Sequence, residues 1–126
     1  MTRAALASLA IAASVSVAAC GFKVATPVTG PHENEEPITV PYPPPPARVE
    51  TIPAPPKGQE KTAVWVDGAW EWRQRRWVWV PGDWEVPEKN SYYAPPMTIR
   101  LADGSLAYFP GAWRSAGGGP PPPAAK

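Results

Sequence analysis

The stretch that decides the fold runs from Trp65 to Trp84 and reads Trp-Val-Asp-Gly-Ala-Trp-Glu-Trp-Arg-Gln-Arg-Arg-Trp-Val-Trp-Val-Pro-Gly-Asp-Trp. Tryptophan alternates with other residues along it. In an extended backbone Trp70 and Trp72 would share one side, while Glu71 would point to the other. A period of two is the signature of a β-strand. The alternation therefore predicts antiparallel strands with indole rings placed side by side.

The centre of this stretch predicts a β-hairpin. A two-residue turn at 74–75 would place Trp72 opposite Trp77, and Trp70 opposite Trp79. Aromatic pairs at such opposed positions each contribute about 0.2–1 kcal/mol relative to a pair of alanines. Tryptophan pairing is therefore expected to fix the register of the hairpin.

The outer parts of the stretch allow two arrangements. If 67–68 and 81–82 are also two-residue turns, the result is a four-stranded meander. Asp67-Gly68 suits the type I′ turn of hairpins, whereas Pro81-Gly82 favours type II, whose twist fits hairpins poorly. The alternative is one long hairpin in which the two glycine motifs oppose each other as bulges. The sequence leaves both arrangements open.

A second hairpin is expected from Met97 to Phe109, where strand-like segments flank Asp103-Gly104. A two-residue turn there would place Leu101 opposite Leu106. The resulting aliphatic patch could pack against the tryptophan side of the first hairpin. Pro87 to Pro96 is expected to be the connecting loop.

One motif recurs, with an aromatic residue, glycine three positions later and tryptophan two positions after that. Its copies are Trp65, Gly68, Trp70; Trp79, Gly82, Trp84; and Tyr108, Gly111, Trp113. The motif resembles that of the WXXGXW (YXWGXW) repeat lipoproteins, also described as BcpO-related WXXGXW repeat proteins. The resemblance covers Trp65 to Trp113, less than half of the chain. It implies a place in the bacterial envelope and supplies no catalytic residues.

The composition divides the chain of 126 residues, which contains 20 Pro, 10 Gly and 7 Trp. All tryptophans lie within 65–113, and most prolines lie within 21–61. The predicted fold class is mostly β: a small antiparallel meander of Trp-rich hairpins after a disordered proline-rich tether, with an N-terminal signal helix. The predicted units are a lipoprotein signal peptide (1–19), a lipid anchor and tether (20–61), a Trp-rich β module (62–114) and a Gly/Pro-rich disordered tail (115–126).

The N-terminal residues predict export and lipidation. Arg3 provides a positive charge, and an uncharged run of about 14 residues follows, the length of a signal-peptide core. The run ends Val17-Ala-Ala-Cys20, which resembles the bacterial lipobox. We expect cleavage before Cys20 and attachment of palmitate-type acyl chains, which would anchor the protein in a membrane. Gly21 rather than Asp follows, which by resemblance to bacterial sorting rules favours the outer membrane.

The proline-rich tether is expected to be coil and polyproline II, holding the module away from the membrane. His32 lies close to three glutamates, which raises the possibility of a metal site. A flexible segment offers no preformed ligand geometry, so we expect no metal and no cofactor. Pro43–Pro46 is a possible ligand for an aromatic groove.

Several function classes are excluded by residue content. The only histidine lies in the tether and the only cysteine is used for the lipid, so no nucleophile–base pair of these types is available and no enzyme is expected. The net charge of +1 argues against nucleic acid as a partner. The first expectation is a structural or interaction lipoprotein of the envelope, whose partners are the membrane and an envelope protein.

Two alternatives concern the tryptophans. In the first, exposed rings at Trp65, Trp84 and Trp113, near predicted strand edges, bind cell-wall glycan. In the second, the aromatic face binds proline-rich peptide, including the protein's own tether. Against both stands the expectation that all the rings form the core, because each aromatic side chain buries roughly 150–250 Å².

Overall fold

The computed structural model describes residues 21–117, which form nine β-strands and no helix. The strands are β1 Ile38–Val40, β2 Val64–Val66, β3 Ala69–Arg73, β4 Arg76–Val80, β5 Asp83–Glu85, β6 Ser91–Ala94, β7 Met97–Arg100, β8 Leu106–Phe109 and β9 Ala112–Ser115. The predicted mostly-β class is confirmed. The expected signal helix, Cys20 and the tail beyond residue 117 lie outside the described residues. Within 21–117, no helix has the length and apolar character needed to cross a bilayer.

The central hairpin is the one that the tryptophan alternation predicts. Strands β3 and β4 pair so that Trp72 lies opposite Trp77 and Trp70 opposite Trp79. Gln74 and Arg75 both have positive φ, 48° and 63°, as a type I′ turn requires. Since neither residue is glycine, pairing of the flanking strands must hold the turn in this conformation.

The outer strands extend this hairpin instead of forming separate turns. Strands β2 and β5 pair with Trp65 opposite Trp84, in register with the inner pair. Residues 67–68 and 81–82 therefore interrupt one long hairpin. Of the two arrangements that the sequence leaves open, the long hairpin with opposed glycine motifs is confirmed, and the four-stranded meander is not formed. The glycines here do not adopt positive φ, and the amides of Gly68 and Gly82 bond to a side chain from elsewhere in the chain.

A second long hairpin repeats the design. Strand β6 pairs with β9 and β7 with β8, again in one register, so that Tyr93 lies opposite Trp113 and Thr98 opposite Tyr108. Residues 95–96 and 110–111 form the interruption. The predicted loop from Pro87 to Pro96 is thus wrong in its second half, where β6 pairs with the strand that carries the third motif copy.

The turn of the second hairpin is one residue longer than expected. Leu101 donates its amide to the Ser105 carbonyl at 2.9 Å, and Gly104, with φ of 86°, donates to the Leu101 carbonyl at 3.0 Å. This is a three-residue loop with glycine in the left-handed position. Arg100, not Leu101, therefore lies opposite Leu106. Leu101 stays 42 % exposed, and the expected aliphatic patch does not form.

The proline-rich segment, residues 21–61, packs against both hairpins, so the expectation of a disordered tether is corrected. Strand β1 within it adds to β8, with Val40 opposite Leu106. Thr29 forms a parallel bridge with Tyr93 of β6. Proline lacks an amide donor, but its carbonyl remains a full acceptor. The segment can therefore bind a surface that supplies donors.

Two buried clusters hold these parts together. One contains Val40, Trp77, Leu106 and Tyr108, and joins the turn end of the first hairpin to β1 and β8. The other contains Ala63, Trp65 and Trp84 at the open end of the first hairpin, with Val24 and Ile52 of the proline-rich segment packed against it. The first cluster includes Val40 of the segment, and the second is covered by Val24 and Ile52 of the segment, so neither is completed by the Trp-rich module alone.

Candidate functional site

The indole nitrogens of the first hairpin donate hydrogen bonds to the proline-rich segment. The acceptors are the carbonyl of Tyr42 for Trp77 (3.1 Å), of Pro46 for Trp70 (3.0 Å) and of Pro53 for Trp84 (2.8 Å). Buried Trp N–H groups usually find such partners. Because proline has no amide N–H, the segment has few backbone donors of its own, and its carbonyls stay available to accept from the indoles. The aromatic face, defined here as the Trp70, Trp77, Trp79 and Trp84 side chains, is therefore satisfied by the protein's own segment.

Glu50 bridges the interruption in the first hairpin. Its carboxylate accepts the Gly68 amide at 3.2 Å, the Gly82 amide at 3.0 Å and the Trp79 indole N–H at 3.2 Å. Half-buried amides that lose their cross-strand partner need another acceptor. One carboxylate replaces the missing cross-strand acceptors for the two opposed glycines and ties the segment to both strands.

The glycines of the motif allow rings to lie on the backbone. A Cβ on Gly68 would come within 2.6 Å of the Trp79 ring, and a Cβ on Gly82 within 2.5 Å of the Trp65 ring. The first tryptophan of each copy thus covers the glycine of the opposite copy. This reciprocal contact gives a physical reason for the spacing of the motif, which combines an interrupted ladder with close ring packing.

Arg48 lies over the Trp70–Trp79 pair. Its guanidinium lies 4.9 Å from the Trp70 ring centre and 5.7 Å from that of Trp79. Both distances fall within the range of cation–π attraction. The proline-rich segment therefore contributes a cation from Arg48 and an anion from Glu50 to the same pair of strands.

The second hairpin has its own contacts at the interruption. His32 faces the Pro95 carbonyl at 2.6 Å and the Glu35 carboxylate at 2.7 Å, and Glu35 also pairs with Arg114 at 2.7 Å. Both imidazole nitrogens thus face acceptors, so the ring donates to both only when doubly protonated. Across the described range, 21–117, no group of three potential metal-ligating side chains is gathered. His32 instead fastens the segment to the second hairpin.

The three ligand-binding candidates are less accessible than the sequence suggests. Trp65 is 5 % and Trp84 9 % exposed, so their predicted exposure is wrong. They pair edge to face at 5.6 Å inside the open-end cluster. Trp113 is half-buried, contacts the Tyr93 ring and donates its indole N–H to Glu85. Residues of the proline-rich segment therefore cover the Trp65–Trp84 pair.

All seven indoles pack against another aromatic ring. The pairs are Trp65–Trp84, Trp70–Trp79, Trp72–Trp77, Trp77–Tyr108, Tyr42–Trp72 and Tyr93–Trp113. Most are edge-to-face, which uses the face of one ring in each pair. Trp65, Trp77 and Trp84 are buried, as expected for core residues, whereas the other four tryptophans are half-buried.

A cavity of about 920 Å³ lies between the two hairpins and the proline-rich segment. Its lining includes Pro43–Pro45, Trp70, Trp79, Tyr93 and Arg100. The volume lies within the usual range of ligand pockets, which are apolar with a few polar groups. Its wall depends on the segment, so the cavity exists only while the segment is bound.

Sequence reasoning missed the two residues that connect the segment to the motif, Arg48 and Glu50. Both stand within a proline-rich stretch that was interpreted as a spacer. The available signal is that the stretch carries charges of both signs close together, Arg48 and Glu50, on the N-terminal side of the tryptophans. It also contains Ile38, Val40 and Ile52, apolar residues that a solvated tether does not need.

Comparison of the chain with known protein families, curated proteins and solved structures finds no match in any of the three.

The phenols of half-buried Tyr93 and buried Tyr108 have raised pKa values. Burial raises the pKa of Tyr93 to about 12, and the nearby Glu85 carboxylate adds to the effect. Burial likewise raises the pKa of Tyr108 to about 12, with a further contribution from Glu71. Both hydroxyls therefore stay neutral in the folded protein at pH values where an exposed tyrosine ionises.

We expect the free energy of unfolding to fall as pH rises from 10 to 12. In that window the unfolded chain releases the protons of both phenols and the folded chain retains them, so alkali favours unfolding. Below pH 10 the contribution is fully present. Denaturant unfolding across the window measures it. The variant carrying Tyr93→Phe and Tyr108→Phe should show a shallower fall, and parallel curves for both proteins would contradict the expectation.

Proposed function

We propose that the chain is a lipid-anchored, non-catalytic structural or interaction module of the bacterial cell envelope, belonging with the WXXGXW repeat lipoproteins that it resembles. The observation that carries the proposal is the binding of the proline-rich segment by four indole N–H groups. These contacts give the tryptophans a scaffolding role that requires no external ligand. The Val17-Ala-Ala-Cys20 sequence supplies the anchor, and Gly21 favours the outer membrane.

The contacts of the candidate catalytic groups support a non-catalytic role. His32 is held between Glu35 and the Pro95 carbonyl, and only 5 % of its side chain is exposed. A general base must reach a substrate proton and be free to exchange it. His32 meets neither condition where it lies, and its contacts serve to attach the segment.

The glycan alternative ranks second. A sugar-binding platform needs a free, flat ring face, and the ring faces of Trp70 and Trp79 are covered by Arg48. Binding of external proline-rich peptide meets a different obstacle. The protein's own segment is covalently attached and competes at a high effective concentration. The peptide alternative therefore requires the segment to be displaced first, and so does glycan binding on the Trp70 and Trp79 ring faces that Arg48 covers.

The anchor is tested by mass spectrometry of the membrane fraction from bacteria that express the full chain. We expect the mature protein to begin at Cys20 and to carry acyl chains, because two or three chains are needed for firm anchoring. Cys20→Ser is the matched control and should lack the acyl mass and leave the membrane fraction. An unacylated wild-type Cys20 would refute the proposed anchor.

A further inference from the structure

Residues 22 to 25, close in sequence to the proposed lipid at Cys20, pack against the first hairpin. The Phe22 ring lies 6.3 Å from the Trp84 ring, and Val24 packs against the open-end cluster. Trp65 donates its amide to the Ala25 carbonyl at 2.8 Å. Gly21 alone lies between Cys20 and Phe22, and the two Cα–Cα steps from Cys20 to Phe22 span at most about 7 Å when fully extended. An acyl chain on Cys20 would therefore hold the open end of the first hairpin close to the lipid headgroups.

That end of the molecule is apolar and basic. We define the anchor end as Phe22, Lys23, Lys57, Lys61 and Val86. Phe22 and Lys23 belong to the packed N-terminal stretch, and Val86 follows the last residue of β5. Lys57 and Lys61 lie in the turns that lead to Ala63 of the open-end cluster. Phe22 is 41 % and Val86 40 % exposed, and all three lysines are exposed. Glu60 is the acidic residue within the same 57–61 stretch. Glu85, the last residue of β5, is also acidic, and its carboxylate accepts the Trp113 indole N–H of the second hairpin. Three positive charges against two, beside exposed apolar side chains, suit an anionic lipid surface.

We propose that the anchor end lies against the anionic headgroups of the membrane and fixes the orientation of the module. The inference rests on the proposed lipid anchor. Basic side chains attract acidic lipids within a Debye length of the surface, and apolar side chains enter the headgroup layer. Because Phe22 is so close in sequence to the acylated Cys20, the lipid anchor would keep both the lysines and the apolar side chains at the membrane surface. The turn at Gln74-Arg75 lies at the opposite end of the first hairpin and points away from the membrane.

Site-specific labelling tests this orientation. The native chain has one cysteine, which acylation consumes, so an introduced cysteine is the only thiol that takes a spin label. Val86→Cys and Gln74→Cys place labels at the two ends of the hairpin. The acylated full-length variants are reconstituted in phosphatidylethanolamine–phosphatidylglycerol vesicles. The label at 86 should collide mainly with lipid-soluble oxygen, and the label at 74 mainly with a water-soluble nickel reagent.

Charge reversal tests the electrostatic part. Adding Lys57→Glu and Lys61→Glu to the Val86→Cys variant should shift its label towards water on acidic vesicles. Arg75→Glu, at the far turn, is the matched control and should leave the label where it was. An unchanged label after reversal of both lysines would overturn the role of charge.

The outcomes separate the two proposals. Intact mass is measured on the same preparation before reconstitution. If the protein is acylated but both labels report water, the proposed orientation is refuted, because the module then does not contact the membrane. The lipid anchor is supported by the same result. Labels that both report lipid also overturn the proposed orientation. A protein that carries no acyl chain overturns the anchor and the orientation together.

Discussion

Replacing Glu50 with alanine is expected to lower the free energy of unfolding by about 3 kcal/mol, because each hydrogen bond to a charged group contributes about 1.5–3 kcal/mol. The carboxylate accepts two backbone amides and one indole N–H, all of which lose their acceptor. Domains of this size have only a few kcal/mol of net stability. The variant should therefore be largely unfolded at a denaturant concentration that leaves the wild type folded. Denaturant titration monitored by tryptophan fluorescence measures the change.

Two further variants make this result specific to the carboxylate. Glu60→Ala removes an exposed carboxylate from a neighbouring part of the same segment and should change stability by less than about 0.5 kcal/mol. Glu50→Gln keeps the side-chain length and one acceptor oxygen but loses the charge, so its stability should lie between the other two. If Glu50→Ala were as stable as Glu60→Ala, the proposed bridge would be absent in solution.

The register of the tryptophan pairs could be predicted from the sequence, whereas the contacts of Glu50 could not. The pairs at 70–79 and 72–77 depend on local alternation and a two-residue turn, both of which are present in a short stretch. The contact between Glu50 and the glycines joins residues 18 and 32 positions apart through a segment without periodicity. No local propensity specifies such a contact.

The second hairpin illustrates a different limit. Asp103-Gly104 permits either a two-residue turn or a three-residue loop with a bulge, because glycine at positive φ satisfies both. The Asp103 carboxylate accepts the amide of Ser105 at 2.9 Å and its hydroxyl at 2.6 Å, which stabilises the longer loop. A shift of one residue turns each side chain to the other face of the strand. The length of this loop therefore determines which residues of the flanking strands are opposite each other.

Gly82→Ala is the other substitution with a large expected effect, a loss of about 2–3 kcal/mol, the upper part of the range for overpacked sites. The added Cβ would lie 2.5 Å from Cζ2 of Trp65, 2.8 Å from the Val66 carbonyl oxygen and 2.9 Å from the Gly68 nitrogen. Two of these atoms belong to the backbone of the opposite strand, so no rotamer change can relieve the contact. Denaturant unfolding of Gly82→Ala beside Gly117→Ala, where a Cβ meets nothing within 4 Å, measures the effect.

A double-mutant cycle with Trp65→Phe identifies which contact dominates. Phenylalanine removes the ring atom nearest to the new methyl group but leaves the backbone contacts in place. If the indole alone opposed the Cβ, Gly82→Ala would cost little in the Trp65→Phe background, and the coupling would match the whole loss. We expect only partial relief, because the opposed backbones approach too closely for any side chain at residue 82. Equal stability of Gly82→Ala and Gly117→Ala in the wild-type background would contradict the close approach itself. The motif glycine is then explained by the narrowness of the interrupted hairpin, which brings both amides within reach of one carboxylate.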